Sequence, residues 1–65
     1  MRYKITVVAV AGENPLTGEF QPEQIEVVVV DAASPHNARN LVPVFMKMSV
    51  KGQLLRFYHD GQEIL

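Results

Sequence analysis

The chain contains no cysteine and no tryptophan, and His36 and His59 are its two histidines. Without cysteine no disulfide can stabilise the fold, and the redox compartment is indicated only weakly, with the cytoplasm as the default. Two histidines without cysteine argue against a structural zinc site. A chain of 65 residues buries only ~60% of its unfolded surface, so its stability is marginal. Oligomerisation is the remaining way to stabilise it.

The sequence also has no excess of charge and no long apolar run. Its net charge is −1, from six basic and seven acidic residues. This balance argues against nucleic acid as a partner, because such proteins carry a basic surface. No apolar stretch approaches the ~20 residues of a membrane helix, and the N-terminus has no signal-peptide pattern. We therefore expect a cytoplasmic protein without a membrane partner.

No motif indicates catalysis or ligand binding. Gly12 and Gly18 are not followed by the Gly-Lys-Ser/Thr of a phosphate-binding loop. The acidic residues around them lack the alternating oxygen ligands of a calcium-binding loop. Tyr58 and His59 are neighbours, so on a strand they point to opposite faces. We expect no enzyme activity, no catalytic residue, no metal, no cofactor and no small-molecule substrate.

The most informative feature that is present is the run of four valines at residues 27–30, preceded by Ile25 and Glu26 and followed by Asp31. A strand with one buried face alternates apolar and polar residues, whereas a continuous apolar run indicates that both faces lose contact with water. A short chain has few elements with which to cover a second face. The run therefore indicates association with another chain.

The apolar pattern predicts two strands, at residues 2–10 and 24–30. A register with Val7 opposite Val27 would place Ile25, Val27 and Val29 on the face that a helix can cover, although a slip of two residues would do the same. The opposite face would then be a mixture of polar and apolar side chains. Its four valines would be Val8, Val10, Val28 and Val30.

Ser34 and Pro35 predict the start of a helix, because serine caps free amides and proline suits the first helical position. Three-and-four spacing follows at Ala38, Leu41, Val42 and Phe45. Pro43 lies inside this pattern, where it removes a backbone donor. We therefore expect a kinked helix, or two short helices meeting near Val42, that ends before Gly52.

The last segment predicts a β-hairpin around Asp60 and Gly61, a favoured pair for a two-residue turn with positive φ. Counting outward pairs His59 with Gln62, Tyr58 with Glu63, and Phe57 with Ile64. The face of Phe57 is the expected core face. We predict that Phe57 is buried against Leu41 and Phe45 of the helix.

The expected fold is a single α+β domain over residues 1–65, with the order ββαββ. Its sheet is antiparallel or mixed, and one kinked helix covers one face. A right-handed crossover through the helix would leave strands two and three parallel. Strand one or strand two could be central; in the first case strand two is an exposed edge, and in the second its outer face lacks a cover.

The segment from Leu55 to Ile64 resembles the third-strand region of small ubiquitin-like modifiers, and the element order up to that point is similar to a β-grasp fold. The resemblance covers a small part of the chain. The sequence stops where the family's long final strand and diglycine tail would begin, so we do not expect a conjugatable modifier.

The leading hypothesis is a non-enzymatic interaction protein that self-associates or binds a larger protein, by analogy with small accessory or host-modulating proteins of phages and bacteria. Met46 is included as a contact residue because helical spacing allows only one of Met46 and Met48 to face the core well. One alternative is a sheet-based nucleic-acid binder that uses Arg2, Lys4, Arg56 and Tyr58. Another is a minor subunit or ligand-binding domain that a partner completes. The candidate partner-binding residues are Val8, Val10, Val28, Val30, Met46 and Tyr58.

Overall fold

The computed structural model describes residues 1–50 and 52–65, and it confirms a small α+β domain in which one helix packs on an antiparallel sheet. Two short strands, β2 and β3, pair with each other in the connection between the two long strands of the first hairpin. The elements in chain order are β1 (Arg2–Ala9), β2 (Gly12–Glu13), β3 (Phe20–Gln21), β4 (Gln24–Asp31), α1 (Pro35–Phe45), β5 (Leu55–His59) and β6 (Gln62–Glu63).

The main sheet has the strand order β4-β1-β5-β6, and each neighbouring pair is antiparallel. Of the two strand orders left open by the sequence, the one with the first strand inside the sheet is correct. β4 and β5 both run antiparallel to β1, so they are parallel to each other with β1 between them. The valine-rich β4 is therefore an edge strand.

Helix α1 begins as its sequence predicts. The Ser34 side chain accepts a hydrogen bond from the amide of Asn37 at 3.1 Å, and Pro35 occupies the first turn. The helix then continues through Pro43 and ends at Phe45. The alternative of two short helices is therefore wrong. Pro43 still has no amide to donate to the Arg39 carbonyl, and the Met46 amide closes the last turn on Val42 at 2.8 Å.

Glu26 fixes the end of α1 over β4. Its carboxylate accepts hydrogen bonds from the amides of Lys47 and Met48, each at 2.9 Å. Both amides follow the helix and lie beyond its own hydrogen-bond pattern. A carboxylate makes stronger bonds to amides than a neutral acceptor does. This contact explains why a charged residue lies on the helix-covered face of the strand.

The core forms where α1 packs on β1 and β4. Phe57 is buried, as predicted, and its backbone carbonyl accepts a hydrogen bond from Ile64 at 2.8 Å. The helix residues that share the core with Phe57 are Ala38 and Val42, whereas Leu41 and Phe45, which were expected there, are 40% and 55% exposed and lie outside the core. Instead the Arg39 guanidinium lies over the Phe57 ring, 4.5 Å from its centroid.

The terminal hairpin agrees with its predicted turn. Asp60 and Gly61 have φ values of 51° and 77°, which a two-residue turn of this kind requires. Tyr58 pairs with Glu63, and His59 pairs with Gln62. This local signal was sufficient because both turn positions need residues that tolerate positive φ.

Candidate interaction surface

The register between β1 and β4 differs by one residue from the predicted one. Ile5 lies opposite Val28, and Val7 lies opposite Glu26 and not opposite Val27. Because side chains alternate between the faces of a strand, a shift of one residue moves every side chain of β4 to the other face. The prediction therefore assigned the valines of β4 to the wrong faces.

The exposed fractions show the consequence. Val28 and Val30 are 6% and 3% exposed and belong to the core under α1. The expectation that these two valines lack an internal partner is therefore wrong, and they cannot form an exposed docking surface. Their neighbours Ile25, Val27 and Val29 are instead 61%, 49% and 57% exposed. The apolar surface of the strand exists, but other residues form it.

The outer edge of β4 carries the backbone groups of the odd-numbered residues. The Ala32 amide donates to the Met1 carbonyl at 2.8 Å, which makes Met1 and Ala32 a hydrogen-bonded pair. Hydrogen-bonded pairs alternate in an antiparallel ladder, so even-numbered residues of β4 bond to β1. The amides and carbonyls of Ile25, Val27 and Val29 therefore point away from β1. Within the described chain, no strand pairs with this side of β4.

A groove runs beside the same edge, between β4 and α1. Val29 and Val30 of β4 line it together with Leu41, Val44 and Phe45 of α1, and the charged residues Arg2 and Asp31 complete its lining. The three helix residues are 40%, 73% and 55% exposed. Their spacing of three and four places them on one side of α1, next to the stripe formed by the buried Ala38 and Val42. The helix thus has one apolar stripe in the core and a second one above the β4 edge.

The remaining predicted contact residues fall into two groups. Val8 and Tyr58 are half-buried on the sheet face opposite α1, which we call the open face, and Val10 follows β1 with similar exposure. Met46 differs, because both Met46 and Met48 pack partly against the core. The expectation that only one of the two methionines faces the core is wrong, since α1 ends at Phe45 and helical spacing no longer constrains Met48.

Basic side chains also occupy the open face. Arg2 and Lys4 of β1 share it with Arg56 and Tyr58 of β5, as their alternation and pairing require. The Arg56 guanidinium lies 3.8 Å from the Glu63 carboxylate. A hydrogen bond with the Tyr58 side chain, and then the charge of Glu63, raise the pKa of Arg56 above its ordinary value. Arg56 is thus a permanent positive charge with an acidic neighbour.

No three His, Cys, Asp or Glu side chains of the described residues are grouped to hold a metal ion. His59 contacts the Tyr3 ring edge-on, with 5.3 Å between centroids, and lies 3.7 Å from the exposed Asp60 carboxylate. No helix in the described part of the chain is both long enough and apolar enough to cross a membrane.

Comparison with known proteins adds no relationship: no family model, curated protein or solved structure matches this chain significantly. The resemblance to ubiquitin-like modifiers thus gains no support. The candidate interaction surface is therefore defined from the structure of this chain alone. We call the outer edge of β4 and the apolar side chains on both sides of it the β4 surface, and it consists of Ile25, Val27, Val29, Leu41, Val44 and Phe45.

Sequence reasoning placed Ile25, Val27 and Val29 in the core and did not single out Val44. One signal could have identified the helix residues. Leu41, Val44 and Phe45 form a separate three-and-four pattern, which makes the apolar part of α1 wider than a single core stripe.

Proposed function

We propose that this protein is a non-enzymatic interaction module of the accessory type, which binds a polypeptide chain by adding a strand to the edge of β4. One observation carries the proposal: an eight-residue edge strand has outward-pointing backbone groups, exposed apolar side chains on its open face, and an exposed apolar stripe of α1 beside its other face. Proteins normally protect such edges with charges, prolines, bulges or very short strands. β4 has none of these over residues 25–30, apart from Glu26, which is engaged with the end of α1.

Strand addition would use both kinds of group on the β4 surface. The backbone donors and acceptors of the edge supply affinity, and side-chain contacts supply specificity. An incoming strand would also cover part of the groove beside Leu41, Val44 and Phe45. Each valine-sized side chain removed from water contributes ~1.5–3 kcal/mol when it is fully buried. Partial burial of several such side chains would add to the stability of the complex.

Photo-cross-linking tests this proposal for any protein occupant. Benzoylphenylalanine would replace Val29 in one variant and Gln62, on the opposite edge of the sheet, in a matched control. Both positions are exposed, and both variants would be irradiated in the cells that produce the protein. We expect covalent adducts with a polypeptide from position 29 and few from position 62, with peptide mass spectrometry locating the attachment. Equal labelling from the two positions would contradict the proposal.

A second candidate function is binding of single-stranded nucleic acid on the open face. The observation in its favour is that Arg2, Lys4, Arg56 and Tyr58 share this face. The acidic neighbour Glu63 and the net charge of −1 weigh against it. Titration with an oligonucleotide at two salt concentrations separates the functions, because phosphate contacts make affinity fall steeply with salt. Salt-sensitive binding that Arg56→Gln weakens would favour this second function.

A further inference from the structure

We propose that the strand added to β4 is β4 of a second copy of this chain, in a two-fold dimer centred on Val27. This inference rests on the proposed function, because it names the occupant of the same edge. It also specifies the register. In that register Val27 faces the partner's Val27, and Ile25 faces the partner's Val29.

The sequence of the edge is self-complementary in this arrangement. The residues whose backbone points outward, Ile25, Val27 and Val29, are symmetric about Val27. Antiparallel pairing of the edge with itself therefore places apolar residues opposite apolar residues. Centring the dimer on Val28 would instead place Ile25 opposite the partner's Asp31. In the Val27 register Asp31 faces the partner's Glu23, but the N-terminal ammonium already lies 3.2 Å from the Asp31 carboxylate.

The position of α1 favours a second copy over an isolated strand. A two-fold axis normal to the sheet places both helices on the same face. α1 packs on β1 and β4, so it lies above the gap between them. Strands are spaced ~4.8 Å apart, which sets the two helix axes about 10 Å apart. Packed helices have axes ~8–10 Å apart, so the two helices would be in contact.

The contact would be made by the second apolar stripe of α1. Leu41, Val44 and Phe45 line the groove beside the edge, on the side of the helix that would face its copy. A single added strand would cover only the floor of this groove. A second helix at packing distance would cover the exposed sides of these three residues as well.

The size of the molecule also favours a second copy of the chain as the occupant of the β4 edge. The accessible surface of the described residues is 4611 Å². A standard interface buries ~800 Å² on each partner, which is roughly a sixth of this surface. A backbone edge alone is too narrow to supply that area. The second stripe of α1 lies beside the edge and adds to the area that a second copy would cover.

Cysteine cross-linking tests the occupant and the register together, since the chain has no other cysteine. In the Val27→Cys variant the two cysteines meet at the two-fold axis. The Cα atoms of a hydrogen-bonded pair lie ~5.5 Å apart, within the ~4.4–6.8 Å range for a disulfide. The matched control is Val29→Cys, whose two copies would lie four residues out of register, ~13 Å apart. Both positions are exposed, and circular dichroism would check that both variants keep the fold.

We expect the parent protein to have twice its chain mass in light scattering, and Val27→Cys to form a disulfide dimer in glutathione buffer much faster than Val29→Cys. A monomer at high micromolar concentration would overturn the inference. A dimer in which neither variant forms the disulfide, or in which both variants form it equally fast, would also overturn the inference. If the parent is a monomer but benzoylphenylalanine at position 29 labels a different protein, the second copy is refuted and the proposed function is left intact. If benzoylphenylalanine at position 29 labels no protein at all, both proposals are refuted.

Discussion

β4 and β6 form the two edges of the same sheet, and they differ in length, composition and protection. β4 has eight residues and exposes Ile25, Val27 and Val29. β6 has two residues, Gln62 and Glu63, both polar and exposed. The β6 edge thus shows the usual protection of an edge by short length and charge. The contrast within one sheet indicates that the exposure of β4 is a feature of that strand and not of the fold.

The first prediction separates the two faces of β4 and has the largest expected effect. Val28→Lys introduces an unpaired charge into the core, which typically costs about 3–5 kcal/mol. This is comparable with the total stability of a small domain, so we expect the variant to be unfolded. The control, Val27→Lys, changes the adjacent exposed residue and should keep its secondary structure while losing association. Circular dichroism with light scattering measures both. A folded Val28→Lys with an unfolded Val27→Lys would mean that the predicted register was correct after all.

The second prediction concerns the core beside the β6 edge. Phe57→Ala removes a buried ring that lies beneath the Arg39 guanidinium. Such truncations typically cost about 3–5 kcal/mol, so the variant should not fold at physiological temperature. Phe57→Leu, which keeps most of the apolar volume, should retain a cooperative thermal transition. If Phe57→Ala melts close to the parent protein, the core does not depend on β5 in the way that the structure indicates.

The sequence alone is sufficient to predict the burial of Phe57, but it is not sufficient to predict which valines of β4 are buried. The burial of Phe57 followed from the hairpin turn, since Asp60 and Gly61 fix the pairing of the residues around them. The start of α1 was equally local, because Ser34 and Pro35 act within one turn. Signals of this kind depend on the conformation of a few neighbouring residues, and they were correct.

The register of β4 could not be decided in the same way. A run of four valines has no polar residue to mark its outer face, so both registers give an apolar core face. The one polar marker, Glu26, was misleading, because its carboxylate is engaged with the amides of Lys47 and Met48 on the helix side. That contact joins residues more than twenty positions apart and cannot be read from the spacing of apolar residues. The identity of the exposed valines therefore required the structure.

The third prediction concerns the helix that flanks the β4 edge. Pro43→Ala should restore the missing amide donor to the Arg39 carbonyl and raise the free energy of unfolding by about 1 kcal/mol. Asn40→Ala, at an exposed helix position, measures the contribution of helix propensity alone and should give a smaller gain. Chemical denaturation compares the two variants. A marked loss of stability in Pro43→Ala would show that the rigid proline is needed to end α1 at Phe45.

The smallest effect is expected at the β6 edge itself, where composition and length can be separated. The double change Gln62→Val and Glu63→Val makes this edge as apolar as β4 but leaves it two residues long. It removes the exposed ion pair with Arg56, whose atoms are 3.8 Å apart, and exposed pairs contribute little to stability. The melting temperature should therefore change little. The mass in light scattering should stay that of the parent, because two residues offer too few backbone groups for a stable added strand. If the double variant instead forms larger assemblies, apolar composition alone is enough to make an edge associate. The length of β4 would then no longer distinguish the two edges, and the β4 surface would owe its role to its valines.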